Sequence, residues 1–340
     1  MIEAAYAILV LMLTVFLVLE GWDFGAGLLH FAVGRNEAER GTVLAAIGPL
    51  WLWNEVWLVA FGGMTFAAFP SVLASAFSGF YLAFFLLLWC LIVRGIAIEA
   101  RNHLADSLWR EAWDFAFALS SLLLAALVGV ALGNVIRGVP LDARGDFAVP
   151  FFTDFGVRGR VGILDWYTLS VAVFVVALFA AHGASFLALK TAGPVHARSD
   201  RAARRLWPAV LVLLAATTAE TAWVRPDLFT GMIHRPFAWL ALAAVAAGAA
   251  AALLGQAKRR HGVAFAGSCV LIAGLMAAGA SGVYPAMLHS TLDPRDSITP
   301  FSAAADEHGL RLALAWWPFA LALSIGYFGF VFRRYRGKVG

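Results

Sequence analysis

Nine long stretches of this chain are almost free of charge, and nothing else limits its fold as tightly. They fall at approximately 4–31, 46–69, 74–98, 113–136, 164–188, 206–225, 236–255, 262–287 and 311–332. A hydrocarbon core of about 30 Å takes roughly 20 residues of helix at 1.5 Å per residue, so each stretch is long enough to cross one. Backbone N–H and C=O groups in lipid must be satisfied within the segment, which makes the stretches helices. The strand-like alternation of a lipid-facing barrel is absent. Composition agrees: 62% of residues are hydrophobic and 14% charged, with mean hydropathy +0.81. Soluble domains are about half apolar and a quarter charged, so the surplus needs lipid as a second apolar solvent. The expected fold is an all-α integral membrane protein of about nine transmembrane helices in a single membrane domain, 1–340. The chain opens Met1-Ile2-Glu3 without a basic flank, so the first stretch reads as a retained helix and not a cleaved leader. The Ala-rich segment 241–252 reads as a closely packed helix.

Net charge is +4. The basic residues sit in connections, where they set topology, so nucleic acid is not an expected partner. With the N-terminus outside, 17 of the 25 Lys and Arg residues fall on the inner side. The densest group is Arg198, Arg201, Arg204 and Arg205. This bias predicts an outer N-terminus and a cytoplasmic C-terminus. Two outer connections, 137–163 and 288–311, are long and rich in Gly, Pro and Asp, as functional or partner-packing loops often are. Cys90 and Cys269 lie within apolar stretches and form no CxxC pair.

Ionisable groups within a span are costly and mark function by default. Glu20 and Asp23 are three residues apart, which places them on one helix face, and Gly27 continues that face. They lie roughly 24 and 29 Å from the start of the first span, in its inner half. Glu55, preceded by Asn54, lies roughly 14 Å from the inner end of the second span. Antiparallel neighbours would bring the three carboxylates to similar depths. Buried carboxylates that exchange protons with water suit a proton path. The same cluster also suits a cation site in a transporter, or polar contacts that hold helices together. Arg94, Glu99, Arg101 and Asp114 fall where the third span leaves and the fourth begins. They read as a structural charge network. Glu220 and Arg225 read as an interfacial pair.

No histidine lies deep and central. His30 and His182 fall near inner span ends and His289 follows the eighth span on the outer side. Their spacing fits no zinc pattern, and no histidine faces an evident partner as an axial haem ligand would. No metal site and no cofactor is therefore expected in this chain. Most of the 13 Trp residues suit interfacial belts. Trp51, Trp53 and Trp57 are carried inward with Glu55.

Several segments in succession resemble subunit II of cytochrome bd-type quinol oxidases. Glu20-Gly-Trp-Asp23-Phe-Gly-Ala-Gly27 is similar to that family's first-helix signature, and Gly34-Arg35-Asn36 to the loop after it. Gly48-Pro49, Trp51 and Asn54-Glu55-Val56-Trp57 are similar to its second helix. Phe77-Ser78-Gly79-Phe80-Tyr81, Arg94-Gly95, Gly133-Asn134, Leu164-Asp165-Trp166-Tyr167 and His182-Gly183-Ala184 follow in the family's order. The resemblance implies two four-helix bundles plus one peripheral helix, in the bacterial cytoplasmic membrane. It implies a heterodimer with a haem-bearing subunit I that carries two b-type haems, haem d and the quinol site. The activity implied is quinol oxidation coupled to reduction of dioxygen to water, with protons drawn from the cytoplasm. A structural quinone in subunit II is left open. Many members carry an acid one residue after the tryptophan matching Trp51, where this chain has Leu52. Asp23 and Glu55, assisted by Glu20, are the expected carriers here; uptake through subunit I is the alternative. The competing classes are a stand-alone secondary transporter and a purely structural scaffold. Transporters favour charges beside broken helices. The clearest in-span break, Gly62-Gly63, has no charge next to it.

Overall fold

A computed structural model describes residues 1–157, 159–335 and 337–340. Among them the chain is all-helical, with only isolated bridges in place of strands. The helices are α1 (Ile2–Leu28), α2 (His30–Val33), α3 (Glu37–Ile47), α4 (Trp51–Ala68), α5 (Pro70–Gly79), α6 (Tyr81–Ala100) and α7 (Ser107–Arg137). There follow α8 (Trp166–Lys190), α9 (Gly193–Val224), α10 (Pro226–Ile233), α11 (Pro236–Ala257), α12 (His261–Val283), α13 (Pro300–Ala303) and α14 (Glu307–Arg334). Eight are long and apolar enough to cross a membrane, and nine spans result when α3 and α4, bent by 46°, count as one.

Two four-helix bundles stand side by side. α1, α4, α6 and α7 form one, α8, α9, α11 and α12 the other, and α14 lies outside against α4. α1 joins them, packing on α4 and α7 on one side and on α8 and α12 on the other. The α1–α8 crossing is close because glycines meet there. A Cβ on Gly25 would stand 2.0 Å from the Phe179 carbonyl oxygen, and one on Gly183 2.4 Å from the Gly25 carbonyl carbon. Such small-residue contacts drive helix association where lipid removes the hydrophobic force. α11 and α12 meet the same way: a Cβ on Gly248 would stand 2.4 Å from the Leu271 nitrogen.

The helices depart from the apolar stretches in ways the caps and prolines explain. The connection expected at 32–45 holds α2 and α3. Asn36 accepts from the Glu39 N–H to cap α3, and Pro49, which lacks an N–H, forces the bend before α4. The third stretch divides into α5 and α6, and Pro70 holds the preceding Phe69 out of helical geometry (φ −141°, ψ 62°). α7 starts at Ser107, ahead of the expected 113, because Asp106 caps it through the Trp109 N–H. α9 runs back to Gly193, well before 206: hydropathy marks only its lipid-buried half, and nothing in the polar half breaks the helix. The two long connections, 137–163 and 288–311, pack on each other. The Val139 N–H donates to the His289 carbonyl, the Thr291 N–H to Val139, and the Ser290 hydroxyl to Leu141.

Candidate functional site

The first bundle encloses an arginine surrounded by carboxyl groups. Glu20 and Asp23 occupy the segment of α1 that is buried on all sides, from Glu20 to Gly27. Asn54 and Glu55 come from the N-terminal part of α4, and Arg94 reaches in from α6. Glu20, Asp23, Asn54 and Arg94 are fully buried, whereas Glu55 keeps 22% of its side chain exposed. The Arg94 Nη1 donates to Glu55 Oε1 at 3.0 Å and lies 3.4 Å from Glu20 Oε2. Its Nη2 lies 4.0 Å from Asp23 Oδ2. Asn54 donates to that same Asp23 oxygen at 2.7 Å. The guanidinium carbon stands 5.0 Å from the Phe24 ring centroid and 5.9 Å from that of Phe117. Cation–π contact of this kind is worth about 2 kcal/mol when desolvated.

The sequence-derived trio of Glu20, Asp23 and Glu55 is thus brought together, but on a cation assigned elsewhere. The expected network of Arg94, Glu99, Arg101 and Asp114 divides. Arg94 belongs to the carboxylate cluster. Glu99 is exposed and, among the described residues, forms no ion pair within 4 Å. Arg101 and Asp114 stay together, with Arg101 Nε donating at 2.6 Å. The reason is spacing: Arg94 lies in α6 and Arg101 just past its end, seven residues on and about 10 Å further along the axis. One serves each of two stacked clusters.

The lower cluster has members the sequence reading placed at a boundary. Buried Asp114 also accepts from His30 Nε2 at 2.8 Å and lies 2.9 Å from Arg40 Nε. His30 is fully buried. A usable signal was present: Glu20, Asp23, Gly27 and His30 follow helical spacing along one stripe. The Phe117 ring lies between the clusters, 5.2 Å from the His30 ring on its other side. Glu39 and Arg198 pair nearby, and Arg198 Nε donates to the Val33 carbonyl at 2.7 Å, tying α9 to this end.

His182 is also fully buried, in the second bundle. One ring nitrogen bonds the Ser268 hydroxyl at 2.6 Å and the other the Val18 carbonyl at 3.0 Å. Its ring stacks on Phe265 at 5.2 Å. Both His182 ring nitrogens are thus engaged, whereas His30 bonds Asp114 through Nε2 and its Nδ1 has no hydrogen-bond partner among the described residues. Arg225 pairs with Asp227 and not with Glu220. It donates to both Asp227 oxygens, at 2.8 and 2.6 Å, and to the Ile136 carbonyl at 3.0 Å. That guanidinium holds the Asp227 carboxyl below the usual carboxylate range.

Leu52 sits on an outward stripe of α4 with Val56 and Val59, all exposed. Glu55, three residues on from Leu52, is the acid of this helix that pairs with Arg94.

Similarity to known proteins identifies the family. The family model described as cytochrome bd terminal oxidase subunit II matches residues 1–335. The chain is 31% identical over 329 residues to cytochrome bd ubiquinol oxidase subunit 2 of Bacillus subtilis (strain 168), covering 94% of this chain and 92% of that one. It is 34% identical over 209 residues to cytochrome bd-I ubiquinol oxidase subunit 2 of Escherichia coli (strain K12), covering 62% and 53%. Its fold is similar to that in the structure of bd oxidase from Geobacillus thermodenitrificans, with TM-score 0.76, 19% identity and 98% of each chain covered. At that identity the likeness speaks for the fold alone. The match along nearly the whole sequence decides the matter: this multi-span membrane protein belongs to the cytochrome bd terminal oxidase subunit II family.

Proposed function

We propose that this chain is the haem-free accessory subunit of a quinol oxidase and that its Glu20–Asp23–Glu55–Arg94 cluster helps deliver protons for dioxygen reduction. The partner is a haem-bearing subunit I carrying two b-type haems and haem d, which this chain stabilises. Family membership supports the partner, and the engaged nitrogens of His182 support haem ligation elsewhere. The two subunits together oxidise quinol and reduce dioxygen to water, in contact with membrane lipid. The Lys and Arg bias supports an outer N-terminus and a cytoplasmic C-terminus, with the cluster in the inner half of the bilayer.

The observation that carries the proton role is the charge imbalance around Arg94. One guanidinium faces three carboxyl groups, two of them without exposure. Fully ionised, the group would carry a surplus of negative charge in a medium where each unpaired charge costs several kcal/mol. Bound protons relieve that surplus. Both Glu20 oxygens lack a hydrogen-bond partner among the described residues, as does Asp23 Oδ1. A protonated carboxyl supplies a donor that such oxygens can share. Glu55, partly exposed, is the member that exchanges protons with the surroundings. Because one Arg94 nitrogen contacts both Glu55 and Glu20, a proton taken up at the first is close to the second. Water-linked hops between such groups are general acid–base steps.

The test is quinol-dependent oxygen consumption by the purified two-subunit complex carrying Asp23→Asn and Glu55→Gln together. Turnover should fall on the order of tenfold or more while the haem spectrum stays intact. Unchanged oxygen consumption would leave the cluster a scaffold of helix contacts. A colourless, haem-free homo-oligomer on gentle purification would favour a transporter.

A further inference from the structure

Outside the first bundle, unmatched positive charge lines a cleft of about 430 Å³ on the side of the molecule where α9 begins. His196, Ala197, Asp200, Arg201 and Arg204 of α9 form one wall, and Arg259, in the turn between α11 and α12, the other. We propose that this cleft binds a phosphate group, and that its everyday source is the headgroup of an anionic membrane lipid. The proposal is independent of the proton role.

Three guanidinium groups face a single carboxylate here. Asp200 is already committed: one oxygen pairs with Arg204, and the other lies 3.8 Å from His261 Nδ1. Among the described residues Arg201 and Arg259 have no carboxylate within 4 Å. The docked C-terminal segment brings a further positive charge, Lys338, to the same side. There the Val339 N–H donates to Lys190 and the Ala192 N–H to Val339, at 2.8 and 3.0 Å. The lining therefore carries surplus positive charge that one phosphate would offset, and guanidinium forks match phosphate oxygens in geometry.

Depth separates a lipid from a solute. The apolar half of α9 begins near Leu206. Arg204 and Arg201 precede it by about 3 and 7.5 Å along the helix axis. The headgroup layer is about 5–8 Å thick on each side of the hydrocarbon core, so both residues stand within it. Arg259 follows the apolar part of α11 by a few residues and reaches the same layer from the neighbouring helix pair. Basic clefts between spans at this depth are where anionic headgroups seat. That the charges come from two helix pairs makes the cleft more than one solvated helix face.

The test uses the whole two-subunit complex, stripped of lipid in detergent and titrated in native mass spectrometry. The probes are dioleoylphosphatidylglycerol, dioleoylphosphatidylcholine and inorganic phosphate. The wild type should retain one phosphatidylglycerol in preference to phosphatidylcholine. Arg201→Gln/Arg259→Gln should weaken that retention roughly 30-fold. Arg333→Gln/Arg334→Gln, which removes equal charge from the end of α14, should not change it. Arg201→Lys/Arg259→Lys keeps the charge and should recover part of the binding, which guards against a variant that merely misfolds. Phosphatidylglycerol retained against excess inorganic phosphate identifies the lipid as the source. Displacement by inorganic phosphate, with the same loss in the Gln pair, keeps the phosphate site but assigns it to a free anion, overturning the lipid source. Equal retention of both lipids, or equal loss in both Gln pairs, overturns the site.

Discussion

At the residue scale, Arg94 both holds the carboxylate cluster together and sets its charge. Arg94→Gln leaves three carboxyl groups around a neutral amide. Removing one partner from a buried ion cluster costs about 3–5 kcal/mol. Thermal unfolding of the purified complex should show that loss, and adding Glu20→Gln and Asp23→Asn to the same variant should recover part of it. A single variant as stable as the wild type would mean that the cluster is neutral without its cation. The acidic residues themselves were legible in the sequence, because depth along a span and three-residue spacing depend only on helix geometry. Arg94 was not, because its chain position, close to Arg101, pointed to the span end. Its long side chain and the packing of α6 on α7 decide which carboxylates it meets, and that is tertiary information. His30 was missed for a related reason: burial at a span end depends on α3, α7 and α9 packing around α2.

At the element scale, the α1–α8 crossing fixes the depth at which Glu20 and Asp23 sit. A Cβ at Gly25 would meet backbone, not a side chain that can turn away. Gly25→Ala should therefore force the two bundles apart, at a cost of about 1–3 kcal/mol or more, read as a lower unfolding temperature and less assembled complex. Gly326→Ala in α14, with open space around it, should be neutral or slightly favourable by helix propensity. Equal effects would show that the crossing does not depend on close backbone contact. Where α9 meets α10, Arg225 joins α10 through Asp227 and the end of α7 through the Ile136 carbonyl. The carboxyl titrates lower in the folded chain than in the unfolded one, so its contribution is fully present above the ordinary carboxylate value of about 4 and fades as pH falls through the lower folded value. Wild type and Asp227→Asn should differ in unfolding temperature near neutrality and converge below about pH 4. A constant difference across that range would remove the link from the account. The number and order of the spans were legible because lipid imposes a length and an apolar composition. The polar half of α9, the helix α3 and the break between α5 and α6 were not. Hydropathy is silent outside lipid; the Asn36 cap and Pro49 bound α3, while the α5–α6 break at Phe80 has neither a side-chain cap nor a proline to mark it.

For the whole molecule, two bundles meeting along α1 place the carboxylate cluster in the first bundle, above the His30–Asp114 cluster, with Phe117 between them. Family membership and the all-helical fold agree, and the proposed pairing with a haem-bearing subunit is consistent with both. The account turns on whether protons pass through the Arg94 cluster on their way to the oxygen chemistry. The most direct measurement is single-turnover proton uptake, followed with a pH-indicating dye after the reduced two-subunit complex meets dioxygen, in wild type and in Glu55→Gln. Haem absorbance is recorded in the same samples. The account predicts dye-detected uptake slowed about tenfold or more in Glu55→Gln, with haem content and initial dioxygen binding unchanged. Uptake at the wild-type rate in that variant, and again with Asp23→Asn added, would contradict it and return proton supply to the partner subunit.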